Sequence, residues 1–263
     1  MRTFEFIPDG IQDCKVRAWI HTVQNDVKQR MHPAIIICPG GAYEMLSERE
    51  AEPVAKPYFA AGFNTFILEY ATGKNALNFK PLCQLAATIA NIRKYANEWY
   101  TEKNKIVVIG FSAGGHLAAS SGTLFNKKEF LEAFGRKDDI RPDAIILGYP
   151  VITSDEHTHV QTMENVSGSS KGSENFMWFG LDKHVDEQTP PVFMWHTSED
   201  EPAPVENSLK MAMALSKAKV PFELHIFPKG PHGMSVCNEE VDSICEYNGR
   251  WIEWSIKWLN KFL

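Results

Sequence analysis

Lys105-Ile106-Val107-Val108-Ile109-Gly110-Phe111-Ser112-Ala113-Gly114-Gly115-His116-Leu117-Ala118-Ala119 sets one serine between two kinds of local structure. The first five residues form a short, apolar, β-branched run, the pattern of a buried strand. His116 to Ser121 are mostly small residues and good helix formers, suited to a helix packed tightly on a sheet. A G-x-S-x-G at a strand-to-helix junction is a nucleophile elbow, whose sharp turn lifts the serine oxygen above the strand ends. Glycines flank the serine because neighbouring backbone crowds the turn and side chains there would clash.

Outward from the elbow, strand-like and helix-like segments alternate, which points to a mostly parallel sheet with helices on both faces. Thr3–Ile7 and Lys15–Val23 read as an antiparallel start, followed by a strand at Ala34–Cys38. Arg49–Ala61 reads as a helix ended by Gly62, Asn64–Glu69 as a strand, and Pro81–Tyr100 as a long helix. Leu82, Leu85, Ile89, Ile92 and Tyr95 recur there at helical spacing. After the elbow helix come strands at Asp143–Gly148, Pro191–His196 and Phe222–Phe227, with helices at Ala203–Ala218 and Tyr247–Phe262. That makes eight strands. Trp251, Trp254 and Trp258 fall three and four apart on the closing helix, as core packing requires. Residues 1–263 read as one domain. Its longest irregular stretch, 152–188, is the expected substrate-facing excursion, since long irregular segments in compact domains are often lids or binding loops.

Composition excludes several functions. The 263 residues are 44% hydrophobic and 23% charged, ordinary for a globular protein. A net charge of −6 with no basic stripe argues against a nucleic-acid partner. No apolar run approaches the ~20 residues needed to cross a bilayer, so no membrane association is expected. The first ten residues lack the apolar core of a signal peptide. Five cysteines, an odd number without metal-type spacing, fit a reduced cytoplasmic protein in which Cys237 and Cys245 stay unpaired.

A serine hydroxyl is a poor nucleophile near neutral pH and needs a base, which in turn needs an orienting group. After an elbow the partners follow in the order Ser, Asp/Glu, His, each on a loop at a strand's carboxyl end. The loop after Pro191–Trp195 carries Glu199, Asp200 and Glu201; that after Phe222–Phe227 isolates His232 between turn residues. Asp200, central and short, is the favoured acid, leaving Glu199 and Glu201 as solvated loop carboxylates. His196 ends a buried strand and is expected to hydrogen-bond structurally, while His225 is expected on a polar strand face. His157, His159, Asp155 and His184 match no strong metal-ligand pattern, so no metal is expected. His21, His32 and His116 offer no pairing argument. Cys38-Pro39-Gly40-Gly41-Ala42-Tyr43 follows the third strand, where a Gly-rich turn can point backbone N–H groups at a developing oxyanion. Gly41, Ala42 and Ala113 are the expected donors. Tyr43, Met45, Trp178, Phe179 and Met234 lie on or near loops at the active end and are the substrate-pocket candidates.

These residues resemble the α/β-hydrolase esterases, and within them the acetylxylan esterase-like branch, often labelled xylan esterase or endoxylanase-like. The likeness rests on Pro39–Tyr43, Ser47-Glu48-Arg49-Glu50, Gly110–Ala118, Thr189-Pro190-Pro191, His196–Asp200 with Pro204–Leu209, and Gly230-Pro231-His232-Gly233. It covers nearly the whole chain. The resemblance implies Ser112 as nucleophile, Asp200 as acid and His232 as base, with an oxyanion hole near Gly41, Ala42 and Ala113. Pro39 and Ala42 depart from the His-Gly-Gly-Gly of hormone-sensitive-lipase-like esterases, and Tyr70-Ala71 stands where the acetylxylan branch often has Tyr-Arg.

The expectation is therefore a cofactor-free serine esterase that removes short acyl groups, acetyl above all, from small sugars or xylooligosaccharides. A peptidase of the prolyl-oligopeptidase kind shares the triad but usually carries a propeller, and a non-catalytic hydrolase-fold module typically lacks a triad residue. Glycosidic cleavage needs a flanking pair of carboxylates, and the organised chemistry here is acyl transfer instead.

Overall fold

The computed structural model describes residues 1–22, 30–77 and 79–263. The strands are β1 (Arg2–Phe6), β2 (Lys15–Ile20), β3 (His32–Cys38), β4 (Asn64–Glu69), β5 (Thr101–Phe111), β6 (Ala144–Gly148), β7 (Val192–Thr197) and β8 (Phe222–Phe227). Among them run the helices α1 (Glu52–Ala60), α2 (Lys80–Lys94), α3 (Ala113–Thr123), α4 (Lys128–Phe134), α5 (Val160–Ser167), α6 (Glu174–Trp178), α7 (Glu206–Lys217), α8 (Glu246–Gly249) and α9 (Trp251–Phe262). The strands form one eight-stranded sheet in the order β1-β2-β4-β3-β5-β6-β7-β8. β1–β2 and β2–β4 are antiparallel, and every pair from β4–β3 through β7–β8 is parallel.

The sheet is buried on both faces because its central strands are continuously apolar. Ile36, Val108, Leu147 and Met194 face one core with Leu85 and Ile89 of α2 and Leu117 of α3. Their chain neighbours Ile35, Ile37, Val107, Ile109, Phe193 and Trp195 face a second core with Val54 and Tyr58 of α1 and Trp251 and Trp258 of α9. Trp251 stacks on Trp195 at 5.1 Å between centroids, the packing role expected for that aromatic stripe.

Boundaries differ from the expectations in physically readable ways. The helix expected over Pro81–Tyr100 stops at Lys94, and successive turns carry the chain to Thr101, whose N–H reaches Ala96 O. β5 starts early because Thr101 pairs with His32; a register shift then excludes the polar residues 102–104 before Ile106 pairs with Ala34. Val23, the expected end of the second strand, lies outside the described residues. The excursion 152–188 is less irregular than expected, since it contains α5 and α6. His159 and Ser173 cap them by accepting from Thr162 N and Phe176 N.

Register positions the site. β3 lies beside β5 although β4 separates them in sequence, a switch in strand order of the kind that opens a crevice at strand carboxyl ends. Cys38 pairs with Gly110, Phe111 with Gly148, Gly148 with Trp195, and Thr197 with Phe227. The loops beginning at residues 39, 112, 149, 198 and 228 therefore leave the sheet along one edge.

One close backbone contact on that edge lies at Gly114, where an added Cβ would overlap the Cys38 and Pro39 carbonyl oxygens and sit 2.7 Å from Pro39 C. Gly114→Ala is expected to destabilise the fold by about 1–3 kcal/mol through overpacking. A lowered urea midpoint with unchanged m-value is the expected reading; an unchanged midpoint contradicts the contact.

Candidate active site

Ser112 sits at φ 53°, ψ −120°, a conformation a non-glycine residue adopts only when its surroundings hold it there. Three backbone bonds do so. Ser112 N–H donates to Gly148 O at 3.1 Å, and Ser112 O accepts from His116 N and Val151 N, each at 3.1 Å. The half-buried side chain then meets His232, whose Nε2 lies 2.9 Å from Ser112 Oγ.

His232 Nδ1 lies 2.7 Å from Asp200 Oδ2. A carboxylate only accepts, so Nδ1 carries the proton and Nε2 is free to accept from the Ser112 hydroxyl. Asp200 is buried; its Oδ1 accepts from Ala203 N at 2.9 Å. His196 Nε2 lies 2.8 Å from Ala203 O and 3.3 Å from Asp200 Oδ2, and His196 Nδ1 lies 2.8 Å from Ser208 Oγ. Burial alone would raise the Asp200 carboxyl, but hydrogen bonds from His196 and His232, with the attraction of His232, bring it down to about 2. The structure thus gives His196 the hydrogen-bonding role expected of it. Glu199, though exposed, also accepts from Gly230 N at 3.1 Å and so steadies the His232 loop.

The Pro39–Tyr43 loop lies directly against the elbow. Gly40 N–H is not available to a substrate, since it donates to Glu50 Oε2 at 2.7 Å. Gly41 and Ala42 N–H have no intramolecular acceptor among the described residues. Ala113 opens α3, where first-turn N–H groups lack intrahelical partners. Ala42 and Tyr43 both take positive φ, 54° and 59°, so the loop needs holding. Asn165 of α5 donates to Ala42 O at 2.8 Å, Gly73 N to Tyr43 O at 2.7 Å, and the Tyr43 hydroxyl lies 3.0 Å from His116 Nδ1. His116 Nε2 in turn lies 3.0 Å from Phe179 O. The excursion is therefore bolted to this loop at two points.

Several pocket candidates are packing residues instead. The structure corrects Tyr43 (1% exposed), Phe179 (4%) and Met234 (4%), which are buried in the two cores. Trp178 is half-buried and packs edge-on against Phe79, whereas Met45 is exposed. His225, expected on a polar face, bonds Glu223 and packs at a tilt against Phe193 and Trp254. Asp155 is paired with Lys210, His159 Nδ1 with Thr162, and His184 Nε2 with Trp178 O. His116, Asn165 and Glu50, which hold the Pro39–Tyr43 loop, are not marked as site residues by the spacing that marks Ser112, Asp200 and His232. The only available signals were the place of His116 one turn after Ser112 and of Glu50 within Ser47-Glu48-Arg49-Glu50.

The BD-FAE family model matches residues 20–215, most of the chain, from the end of β2 into α7. The chain belongs to the BD-FAE family. It is 35% identical over 249 residues to endo-1,4-beta-xylanase B of Butyrivibrio fibrisolvens, covering 92% of this chain and 37% of that protein. To the acetylxylan esterase of Xylanibacter ruminicola it is 26% identical, covering 84% of this chain and 45% of the relative. The chain thus spans less than half the length of these two curated relatives. The carboxylesterase Cest-2923 from Lactobacillus plantarum superposes with a TM-score of 0.89 at 27% identity, covering 99% of this chain and 98% of that one. The α/β-hydrolase fold expected from the elbow is the fold observed, with the antiparallel β1 and β2 making the sheet mixed. No helix among the described residues is long and apolar enough to cross a membrane.

Burial holds the His116 imidazole down to about 4, despite the Phe179 carbonyl, against an ordinary value of 6.5. Below pH 6.5 the unfolded chain binds a proton that the folded chain refuses. The stability His116 confers is therefore present above pH 6.5 and lost as pH falls towards 4. From pH 7 to pH 5 the loss is about 2 kcal/mol from this group. Urea unfolding at the two pH values measures it. His116→Gln, able to keep both hydrogen bonds, is expected to flatten the dependence by that amount.

Proposed function

We propose that this protein hydrolyses carboxylic esters through an acyl-enzyme on Ser112, removing short acyl groups, acetyl foremost, from small sugars or xylooligosaccharides. The single observation carrying the reading is the continuous chain from Ser112 Oγ through both His232 nitrogens to the buried Asp200 carboxylate, at 2.9 and 2.7 Å.

His232 Nε2 takes the hydroxyl proton as Ser112 Oγ bonds to the ester carbonyl carbon. The carbonyl oxygen becomes an oxyanion, met by N–H groups of Gly41, Ala42 and Ala113. Collapse breaks the bond to the alkoxy oxygen, which leaves as alcohol with the proton from His232. Water then gives its proton to His232 and its oxygen to the acyl carbon; return of the proton to Ser112 frees the acid. Asp200 holds His232 in the required tautomer throughout. No metal or organic cofactor enters these steps. The reading treats 1–263 as one domain, with 152–188 as its substrate-facing wall. Five free cysteines fit a reducing compartment such as the cytoplasm.

The alcohol class rests on relatives whose names include acetylxylan esterase and carboxylesterase. Another relative is named a xylanase, but glycosidic cleavage needs two carboxyl groups facing the sugar. Here Asp200 is spent on His232, His196 and Ala203, and Glu50 on Gly40 and Tyr149.

Ser112→Ala is expected to lower p-nitrophenyl acetate turnover by about six orders of magnitude while leaving the fold intact. Near-wild-type hydrolysis by that variant overturns the assignment. On a panel of acetylated monosaccharides, acetylated xylooligosaccharides and longer acyl esters, kcat/KM is expected to be highest for acetylated sugars. A clear preference for long acyl chains on simple alcohols contradicts the substrate class.

A further inference from the structure

Glu50 is 3% exposed, and both its oxygens are engaged. Oε2 accepts from Gly40 N at 2.7 Å, and Oε1 accepts from the Tyr149 hydroxyl at 2.6 Å. The Tyr149 hydroxyl itself accepts from Ser235 N at 2.9 Å, so its own proton is committed to Glu50. With a donor on each oxygen, the arrangement suits a carboxylate: a proton on Glu50 would displace one of those bonds. A buried ionised carboxylate is costly unless it is paired.

The partners of Glu50 identify what it organises. Gly40 begins the loop whose next N–H groups belong to Gly41 and Ala42. It leaves no room for a side chain, since an added Cβ would lie 2.7 Å from Glu50 Oε2 and 3.0 Å from Ser112 Cβ. Ser235 closes the loop that carries His232, and Tyr149 stands edge-on to the His232 ring at 5.0 Å between centroids. The neighbouring Arg49 fastens the same loop a second time, donating to Gly233 O at 3.0 Å and accepting from Ser235 Oγ at 2.6 Å.

We infer that Glu50 is a positioning residue that locks the oxyanion loop and the His232 loop into one frame and, through Tyr149, adds a second negative charge near His232 to that of Asp200. The inference rests on the Ser112–His232–Asp200 reading proposed above. When His232 takes the serine proton it becomes a cation, and a fixed carboxylate nearby favours that state without moving. Titratable groups facing His232 are Asp200, Tyr149, Glu50 and the half-buried His159; those facing Glu50 are Tyr149, Tyr70, Arg49 and His232. Burial raises the Glu50 carboxyl above its ordinary range, while the Tyr149 and Gly40 hydrogen bonds and the attraction of His232 work in the opposite direction.

Glu50→Gln keeps the volume, removes the charge and turns an amide donor towards one of the two existing donors. The midpoint of the His232 imidazole, followed by NMR titration in the unliganded protein, is expected to fall below that of wild type, since a nearby negative charge is removed. On p-nitrophenyl acetate the variant is expected to lose roughly tenfold or more in kcat, with KM within about twofold. Tyr149→Phe, which keeps the ring and the Glu50 charge but not the hydroxyl, is expected to lower kcat and leave the His232 midpoint in place. An unchanged midpoint in Glu50→Gln overturns the charge role. An unchanged kcat in Tyr149→Phe overturns the positioning role, including where Glu50→Gln does not fold. The titration needs no substrate, and fluorophosphonate labelling of wild-type Ser112 tests the underlying reading separately, so the two failures are told apart.

Discussion

The close approach of the β3 and β5 chain ends governs the rest of this molecule. Cys38 pairs with Gly110, and the carbonyls of Cys38 and Pro39 press into the space where Gly114 has no side chain. One parallel register therefore brings the Gly41 and Ala42 N–H groups, without intramolecular acceptors among the described residues, beside the left-handed strand-to-helix turn at Ser112. Parallel strands deliver this because their ends align, and each neighbour adds a loop to the same rim. Shifting β3 by one residue would separate the two loops and exchange its two buried faces.

Around that contact the protein keeps polar groups in a dry setting by satisfying them almost completely. Asp200 holds Ala203, His196 and His232, and Glu50 holds Gly40 and Tyr149. In low dielectric a half-satisfied carboxylate is expensive, whereas a fully bonded one is rigid. Asp200 bonds directly to the imidazole that gains charge during the proposed reaction, and Glu50 reaches its neighbourhood through Tyr149, which stands edge-on to that ring. Much of the electrostatic organisation is therefore in place before a substrate arrives.

The fold was legible because its signals are local. β-branched runs such as Ile35–Ile37 and Val107–Ile109, the glycines around Ser112, and the amphipathic spacing of α2 each identify an element on their own. Ser112, Asp200 and His232 were legible through chain order, which the topology fixes. Glu50 and His116 were not. An acidic residue ahead of a helix and a histidine inside one are usually solvated or simply packed, and their roles depend on partners 99 and 73 residues away. Burial misled in the other direction for Tyr43, Phe179 and Met234. Position on an active-end loop does not say whether a side chain turns outward or into the core.

The two bolts between the excursion and the Pro39–Tyr43 loop make the molecule less modular than its outline implies. Asn165 and the His116–Phe179 contact tie a wall that would meet the alcohol to the left-handed Ala42–Tyr43 backbone that would meet the acyl oxygen. A segment grafted from a relative to alter sugar preference brings its own anchor, or leaves two strained residues without theirs. If the excursion forms the substrate-facing wall proposed above, a change made there to alter substrate range also acts on the backbone proposed to bind the oxyanion.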